Sequence, residues 1–228
     1  MTPKASKPTA AKKRQMAQVV ATLEELYPTA ECALLWGGHD PWRLLVMARL
    51  SAQCTDRRVN LVAPALFDRF PTVRQMAEAE YEEVEPYVRS CGLFRTKARD
   101  LVESARELLT RHGGEVPSDM DALLGLSGVG RKIAHLIRGD VFGLPAVVTD
   151  THCIRICGRL GFYPEKEKTP HKIEKILTDL LDPAKSSDFC HRIVWFGRDR
   201  CDAKSPACEG CPMAEKGLCR HVKRQARS

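Results

Sequence analysis

The chain reads as all-α. Apolar residues recur at intervals of three and four along most of its length, no segment shows the strict alternation of a half-buried strand, and helix start and stop signals bracket the striped segments. Met16, Val19, Val20, Leu23 and Leu26 form the first stripe. Residues 42–52 are almost continuously apolar (Trp42, Leu44, Leu45, Val46, Met47, Leu50), as in a helix buried on most sides. Asp56 stands as the cap of a helix starting at Arg57. Ala98, Leu101, Val102, Ala105, Leu108 and Leu109 make another stripe, closed by Gly113 and Gly114. Ser118 caps a short helix over 119–124, which Gly125 ends. Thr169 and Pro170 suit the cap and first turn of a helix striped by Ile173, Ile176, Leu177 and Leu180. Phe189, Ile193, Val194 and Phe196 define the last long helix, which stops near Gly197.

With 228 residues the chain can bury one large core or two small ones. It has no run of about 18 apolar residues, the least a membrane-spanning helix needs. The opening MTPKASKPTAAKKR has no apolar core of a secretory signal and reads as a basic disordered tail over residues 1–14, with a short transit peptide as the other reading. The whole chain carries +7, of which residues 1–14 contribute +5 and residues 220–228 contribute +4, which leaves −2 for the body. Basic ends of this kind attract phosphate non-specifically or simply solubilise the chain. Six of the ten cysteines (Cys32, Cys54, Cys91, Cys153, Cys157, Cys190) are scattered through apolar or helical stretches. That is the distribution of reduced thiols, and it fits a cytoplasmic protein.

Two segments carry chemistry. In Leu126-Ser127-Gly128-Val129-Gly130-Arg131-Lys132 two glycines flank one small apolar residue, and the apolar helical residues Ile133, Ala134, Leu136 and Ile137 follow. This spells helix, tight hairpin, helix. The glycines permit positive φ and bare the backbone N–H groups, which at a helix N-terminus can hold a phosphate oxygen. It is not a nucleotide-binding loop, since neither the GK[ST] ending nor a preceding strand is present. An ordinary helix–helix turn is the plainer reading of Gly-x-Gly alone. The other segment is Cys201, Cys208, Cys211 and Cys219, spaced C-x6-C-x2-C-x7-C. Four thiolates in so short a stretch can hold zinc or an iron–sulfur cluster, and the residue types alone permit either.

The hairpin sequence resembles that of the helix–hairpin–helix DNA glycosylases, and specifically the endonuclease III family. The resemblance runs in order along most of the chain. Leu50-Ser51-Ala52-Gln53 with Thr55-Asp56 and Val59-Asn60 is similar to the family's LSAQ-x-TD-x-x-VN segment. Gly92-Leu93 with Lys97-Ala98 is similar to G-L-x-x-x-K-A, and Val148-Thr149-Asp150-Thr151-His152 followed by Arg155 to V-D-T-H-x-x-R with Thr149 interposed. Phe196-Gly197-Arg198 leads into the cysteines as in the family's approach to a 4Fe–4S cluster.

The resemblance implies a two-domain fold. Residues 34–144 would form a six-helix barrel with the helix–hairpin–helix at about 119–142, and residues 15–33 with 145–228 an iron–sulfur domain. It also implies a bifunctional DNA glycosylase and abasic-site lyase of base excision repair that acts as a monomer on duplex DNA carrying oxidised or damaged pyrimidines. In that chemistry a carboxylate stabilises the oxocarbenium-like sugar, and a lysine amine attacks C1′ to form a Schiff base, whose C2′ protons are then acidic enough for β-elimination. Lys132 and Asp150 match the family's lysine and aspartate, which the resemblance implies would face each other across a cleft between the domains. Read without the resemblance, Lys132 is a solvated charge in a first helical turn and Asp150 a helix cap. Gln53 and Leu93 would fill the gap left by an extruded base, while Gly128, Val129, Gly130 and Arg131 would meet the phosphate backbone. Lys97 is a further candidate for phosphate contact, and Lys204, Lys216 and Arg220 around the cysteines are others. Cys201, Cys208, Cys211 and Cys219 would ligate the 4Fe–4S cluster.

Three departures matter. The last cysteine gap is x7 where the family has x5, which makes His221 an alternative fourth ligand. Ser127 replaces the usual proline of LPGVGRK, which points to a looser hairpin. Ile133 and His135 differ from the commonest sequence after the lysine. Two competing functions are a monofunctional mismatch glycosylase, which would typically lack Lys132, and a non-catalytic metal-stabilised DNA-binding module.

Overall fold

The computed structural model describes residues 9–29, 31–38 and 40–225. Among them the regular structure is entirely helical, with thirteen α-helices and two 3-10 turns. No described helix is long and apolar enough to cross a membrane. The chain divides into two units. One is Cys32–Gly143; the other joins the described residues of Met1–Glu31 to those of Leu144–Ser228.

The first unit holds α2 (Pro41–Leu50), α3 (Asp56–Arg69), α4 (Val73–Glu78), α5 (Tyr81–Val88), α6 (Phe94–His112), α7 (Met120–Leu124) and α8 (Arg131–Asp140). The stretch between α3 and α6 breaks at Ala79, whose extended backbone ends α4, and Glu80 restarts the chain with a reciprocal capping box to Glu83. Asp40 opens α2 by accepting the N–H groups of Trp42 and Arg43, with Pro41 at the first position. Trp42, Leu44, Leu45, Val46, Met47, Ala48 and Leu50 are then buried, leaving Arg43 and Arg49 as the polar edge. Each buried leucine contributes about 1.5–3 kcal/mol, so α2 anchors the unit. Both α4 and α5 pack on α6, and α2 and α7 pack on α8. Gly113, at φ +62°, ends α6 and lets the Gly114 N–H reach the Leu108 carbonyl at 2.9 Å.

The second unit holds α1 (Ala10–Leu26), α9 (Thr151–Leu160), α10 (Pro170–Thr178), α11 (Ser186–Asp199), α12 (Pro212–Glu215) and α13 (Arg220–Gln225). Helix α1 buries Met16, Val19, Val20 and Leu23 and packs on α11 and α12. The Gln15 amide donates to the carbonyls of Leu160 and Leu218, which ties the chain's beginning to its end. The sequence reading needs correction at the N-terminus. Residues 10–14 are the opening of α1, capped by Thr9, whereas residues 1–8 of the expected tail lie outside the described residues. Two caps also shift by one position. Thr55, not Asp56, caps α3, and Asp119, not Ser118, caps α7 through the Ala122 N–H.

Candidate active site and cysteine cavity

The hairpin joins α7 to α8. Its turn closes when the Val129 N–H reaches the Leu126 carbonyl at 3.1 Å, with Gly128 at φ +75°. Glycine is required there twice over. A Cβ on Gly128 would stand 2.5 Å from Arg49 Nε and 2.8 Å from Asp100 Cβ. Those two side chains form a largely buried ion pair in which the Arg49 guanidinium donates Nε at 2.7 Å to the Asp100 carboxylate. Ser127 is held as well. Its N–H donates to Glu107 Oε2 at 2.7 Å and its hydroxyl to Glu107 Oε1 at 3.1 Å. Ser127 keeps the N–H that a proline would lack, and α6 supplies the acceptor for it. Val129 turns inward and belongs to the core, so it offers no side chain to a ligand.

Helix α8 starts straight from this turn. Its N-cap is Gly130, and no side chain caps it, which suits an N-terminus that binds an anion. Arg131 and Lys132 are its first two residues, and both are exposed. Asp150 caps α9 and accepts the Cys153 N–H at 2.7 Å. The extended stretch leading to it is buried at Ala146, Val147 and Val148 and pinned to α11 by hydrogen bonds from Ala146 N–H to Ser186 Oγ and from Val148 N–H to Cys190 Sγ. The carboxylate is thus fixed from both sides. Lys132 belongs to the unit Cys32–Gly143 and Asp150 to the other.

Gln53 and Leu93 share an unusual property: among the described residues they are the non-glycine positions with positive φ, at +54° and +47°. Both side chains are exposed, Leu93 at 56%. A non-glycine residue in the left-handed region costs roughly 1–2 kcal/mol and usually marks function. Lys97 has a different place from the one the sequence pointed to. It is fully buried, with Nζ donating to the carbonyls of Leu50 at 2.9 Å and Cys91 at 2.8 Å, so it meets no phosphate. Burial holds its pKa below the ordinary lysine value. Burial and the neighbouring Cys54 push the Cys91 thiol up to about 11.

Cys201, Cys208, Cys211 and Cys219 line one cavity, floored by Ile156, Leu160 and Met213. The x7 gap is absorbed by a single helical turn, α12, after which Gly217 at φ +67° reverses the chain and the N–H groups of Leu218 and Cys219 both reach the Met213 carbonyl. Cys219 therefore faces the same cavity. His221 also lines it, but its Nδ1 lies 3.3 Å from Glu165 Oε2. Four thiols lining one cavity are a donor set that suits zinc or an iron–sulfur cluster. Burial raises the Cys201 and Cys208 thiols above their ordinary range, so binding must draw off protons.

Two arginines organise the cavity. Arg155 donates to the Cys201 carbonyl from Nε and Nη2, at 3.1 and 2.9 Å. Arg159 donates from Nη1 to Cys201 Sγ at 3.3 Å and to the Asp202 carbonyl at 2.6 Å, and from Nη2 to the Ala203 carbonyl at 3.0 Å. Lys216, a sequence candidate for phosphate contact, is tied to α1 through Glu25 at 2.7 Å. Neither Arg159 nor Glu107 was singled out from the sequence. Arg159 follows Arg155 by one helical turn and so shares its face, a signal the spacing does contain. Glu107 has no such signal, because its partner is twenty residues away.

A family model of HhH-GPD superfamily base excision DNA repair proteins matches residues 46–183. The endonuclease III of Synechocystis sp. is 40% identical over 206 residues, covering 90% of this chain and 92% of that protein. Among solved structures, a non-covalent endonuclease III–DNA complex superposes with a TM-score of 0.87 at 38% identity, covering 95% of this chain and 99% of that one. A trapped covalent endonuclease III–DNA intermediate does so with a TM-score of 0.87 at 37% identity, covering 94% and 98%.

Proposed function

The chain belongs to the endonuclease III family within the HhH-GPD superfamily of base excision DNA repair proteins, and from that membership we propose that it is a bifunctional glycosylase and abasic-site lyase acting on damaged pyrimidines in duplex DNA. The observation that carries the lyase step is Lys132, exposed as the second residue of the helix that leaves the hairpin at Gly128 and Gly130. The hairpin grips a phosphate through backbone N–H groups, which sets the amine beside the backbone of the damaged strand. The damaged base is extruded, and Gln53 and Leu93 occupy the space it leaves.

The Asp150 carboxylate stabilises the positive charge that builds on the sugar and helps activate the nucleophile. The neutral amine of Lys132 attacks C1′ as the bond from C1′ to the base breaks, and the base leaves with a proton. Ring opening yields an iminium between Lys132 and C1′. Loss of a C2′ proton then expels the 3′ phosphate, and hydrolysis returns the lysine. Cys201, Cys208, Cys211 and Cys219 would hold a 4Fe–4S cluster, which would order the C-terminal segment; lysine attack and elimination need no electron transfer.

Borohydride reduces the iminium to a stable amine, so it reports the intermediate directly. The chain should form a covalent adduct with duplex DNA carrying thymine glycol or an abasic site, and Lys132→Ala should form none. Base release without an adduct or strand break would instead identify a monofunctional glycosylase. Binding without either would identify a non-catalytic module.

A further inference from the structure

Resting on that reading, we propose that Lys97 is a positioning residue, holding Gln53 and Leu93 together as the pair that fills the gap of an extruded base. Lys97 lies in the first turn of α6 and is fully buried. Its ammonium reaches two carbonyls at once. One belongs to Leu50, the last residue of α2, three positions before Gln53; the other belongs to Cys91, which ends the 3-10 turn Arg89–Cys91 two positions before Leu93. Its own N–H donates to the Leu93 carbonyl at 2.9 Å. A single residue thus fastens the chain on the approach to both strained positions. Those positions are Gln53 at φ +54° and Leu93 at φ +47°, and a backbone of this kind persists only where its surroundings over-determine it.

The choice of lysine is itself informative. Both side-chain acceptors are main-chain carbonyls rather than carboxylates, so the ammonium is buried without a counter-charge at its hydrogen-bonding sites. An apolar side chain of similar volume would fill that space at lower cost. What it would not do is tie two loops, far apart in sequence, to one point. The exposed side chains can then meet the DNA stack as a preset pair, without being ordered at the moment of extrusion.

The test separates gap filling from chemistry. Lys97→Met removes the donors at nearly constant volume, and Lys97→Gln keeps an amide donor. Each is assayed against duplex DNA with thymine glycol, which requires extrusion, and against a single strand with an abasic site, which does not. Lys97→Met should release base from the duplex roughly a hundredfold more slowly, the loss expected from misplacing a contact by about 1 Å, while borohydride trapping on the single strand changes little. The fluorescence of 2-aminopurine beside the lesion should show less unstacking, Lys97→Gln should recover part of the loss, and adding Leu93→Ala to Lys97→Met should cost little more. Equal loss on both substrates, or failure of both variants to fold, would make Lys97 a general stabiliser and overturn the proposal. If the unaltered chain is not trapped on the abasic strand, the lyase reading itself fails, and the proposal with it.

Discussion

Asp150 caps a helix and is proposed to do a second job with the same carboxylate, and the two can be separated. As the cap of α9 it accepts the Cys153 N–H at 2.7 Å; as a charge it is proposed to stabilise the developing cation on the sugar. Asparagine caps a helix as well as aspartate but carries no charge. Asp150→Asn should therefore keep its thermal midpoint and lose about 10²–10³-fold in base release, the usual consequence of removing one stabilising group from a transition state. Asp150→Ala should lose that activity and also about 1 kcal/mol of stability. Equal melting of the two variants would mean the cap contributes nothing. The proposed roles of Lys132, Asp150, Gln53 and Leu93 were legible because each sits in a run of residues whose types and order are unusual together. Lys97 was not. A lysine next to such a run reads as a charge seeking phosphate, and nothing local in the chain reveals that the carbonyls of Leu50 and Cys91 converge on it.

Helices α7 and α8 and the turn between them depend on α6 more than on their own sequence. Glu107 takes two hydrogen bonds from Ser127, Arg111 donates to the Gly125 carbonyl at 3.3 Å, and the Arg49–Asp100 pair closes under Gly128. This explains how serine serves where proline is usual. Proline presets the first central position of the turn, worth about 0.4–1 kcal/mol through the unfolded chain, whereas hydrogen bonds to a charged acceptor contribute about 1.5–3 kcal/mol. Ser127→Pro in the natural chain should accordingly destabilise it by at least about 2 kcal/mol. In a Glu107→Ala background, where the bonds are already gone, the same substitution should stabilise it. A double-mutant cycle read by chemical denaturation checks this, and an unchanged sign in the second background would refute it. The periodicity marked most helices well but left some ends displaced by one residue. Thr55 beside Asp56, and Ser118 beside Asp119, are adjacent side chains that cap almost equally well, and only the path of the entering chain chooses between them.

The cysteine cavity decides how the two ends of the chain stay together. Little apolar surface is available after Gly197, where Met213 and Leu218 are the deeply buried large hydrophobics, so the segment from Cys201 to Cys219 cannot order itself by burial alone. What it contacts is α1 and α9. Gln15 reaches the Leu218 carbonyl, Lys216 reaches Glu25, and Arg155 and Arg159 hold the carbonyls of residues 201–203. The beginning of the chain thus leans on the segment that the proposed cluster would hold in place. None of these long-range ties could be read in advance, since each joins residues more than forty positions apart, whereas the cysteine spacing that demands them was plain. Metal binding of this kind contributes directly to folding, because no preformed site exists in the unfolded chain. Removing the centre, by chelation after oxidation or by Cys219→Ser, should therefore raise hydrogen exchange in α1, α12 and the 201–219 segment together. The unit Cys32–Gly143, with its own core of Leu44, Leu45, Leu101 and Ile137, should keep its protection. Arg159→Ala should lower the iron bound per chain while leaving that unit equally protected. Stoichiometric zinc in the purified chain, or exchange rising uniformly through both units, would contradict this account, for the unit Cys32–Gly143 contributes none of the four thiols.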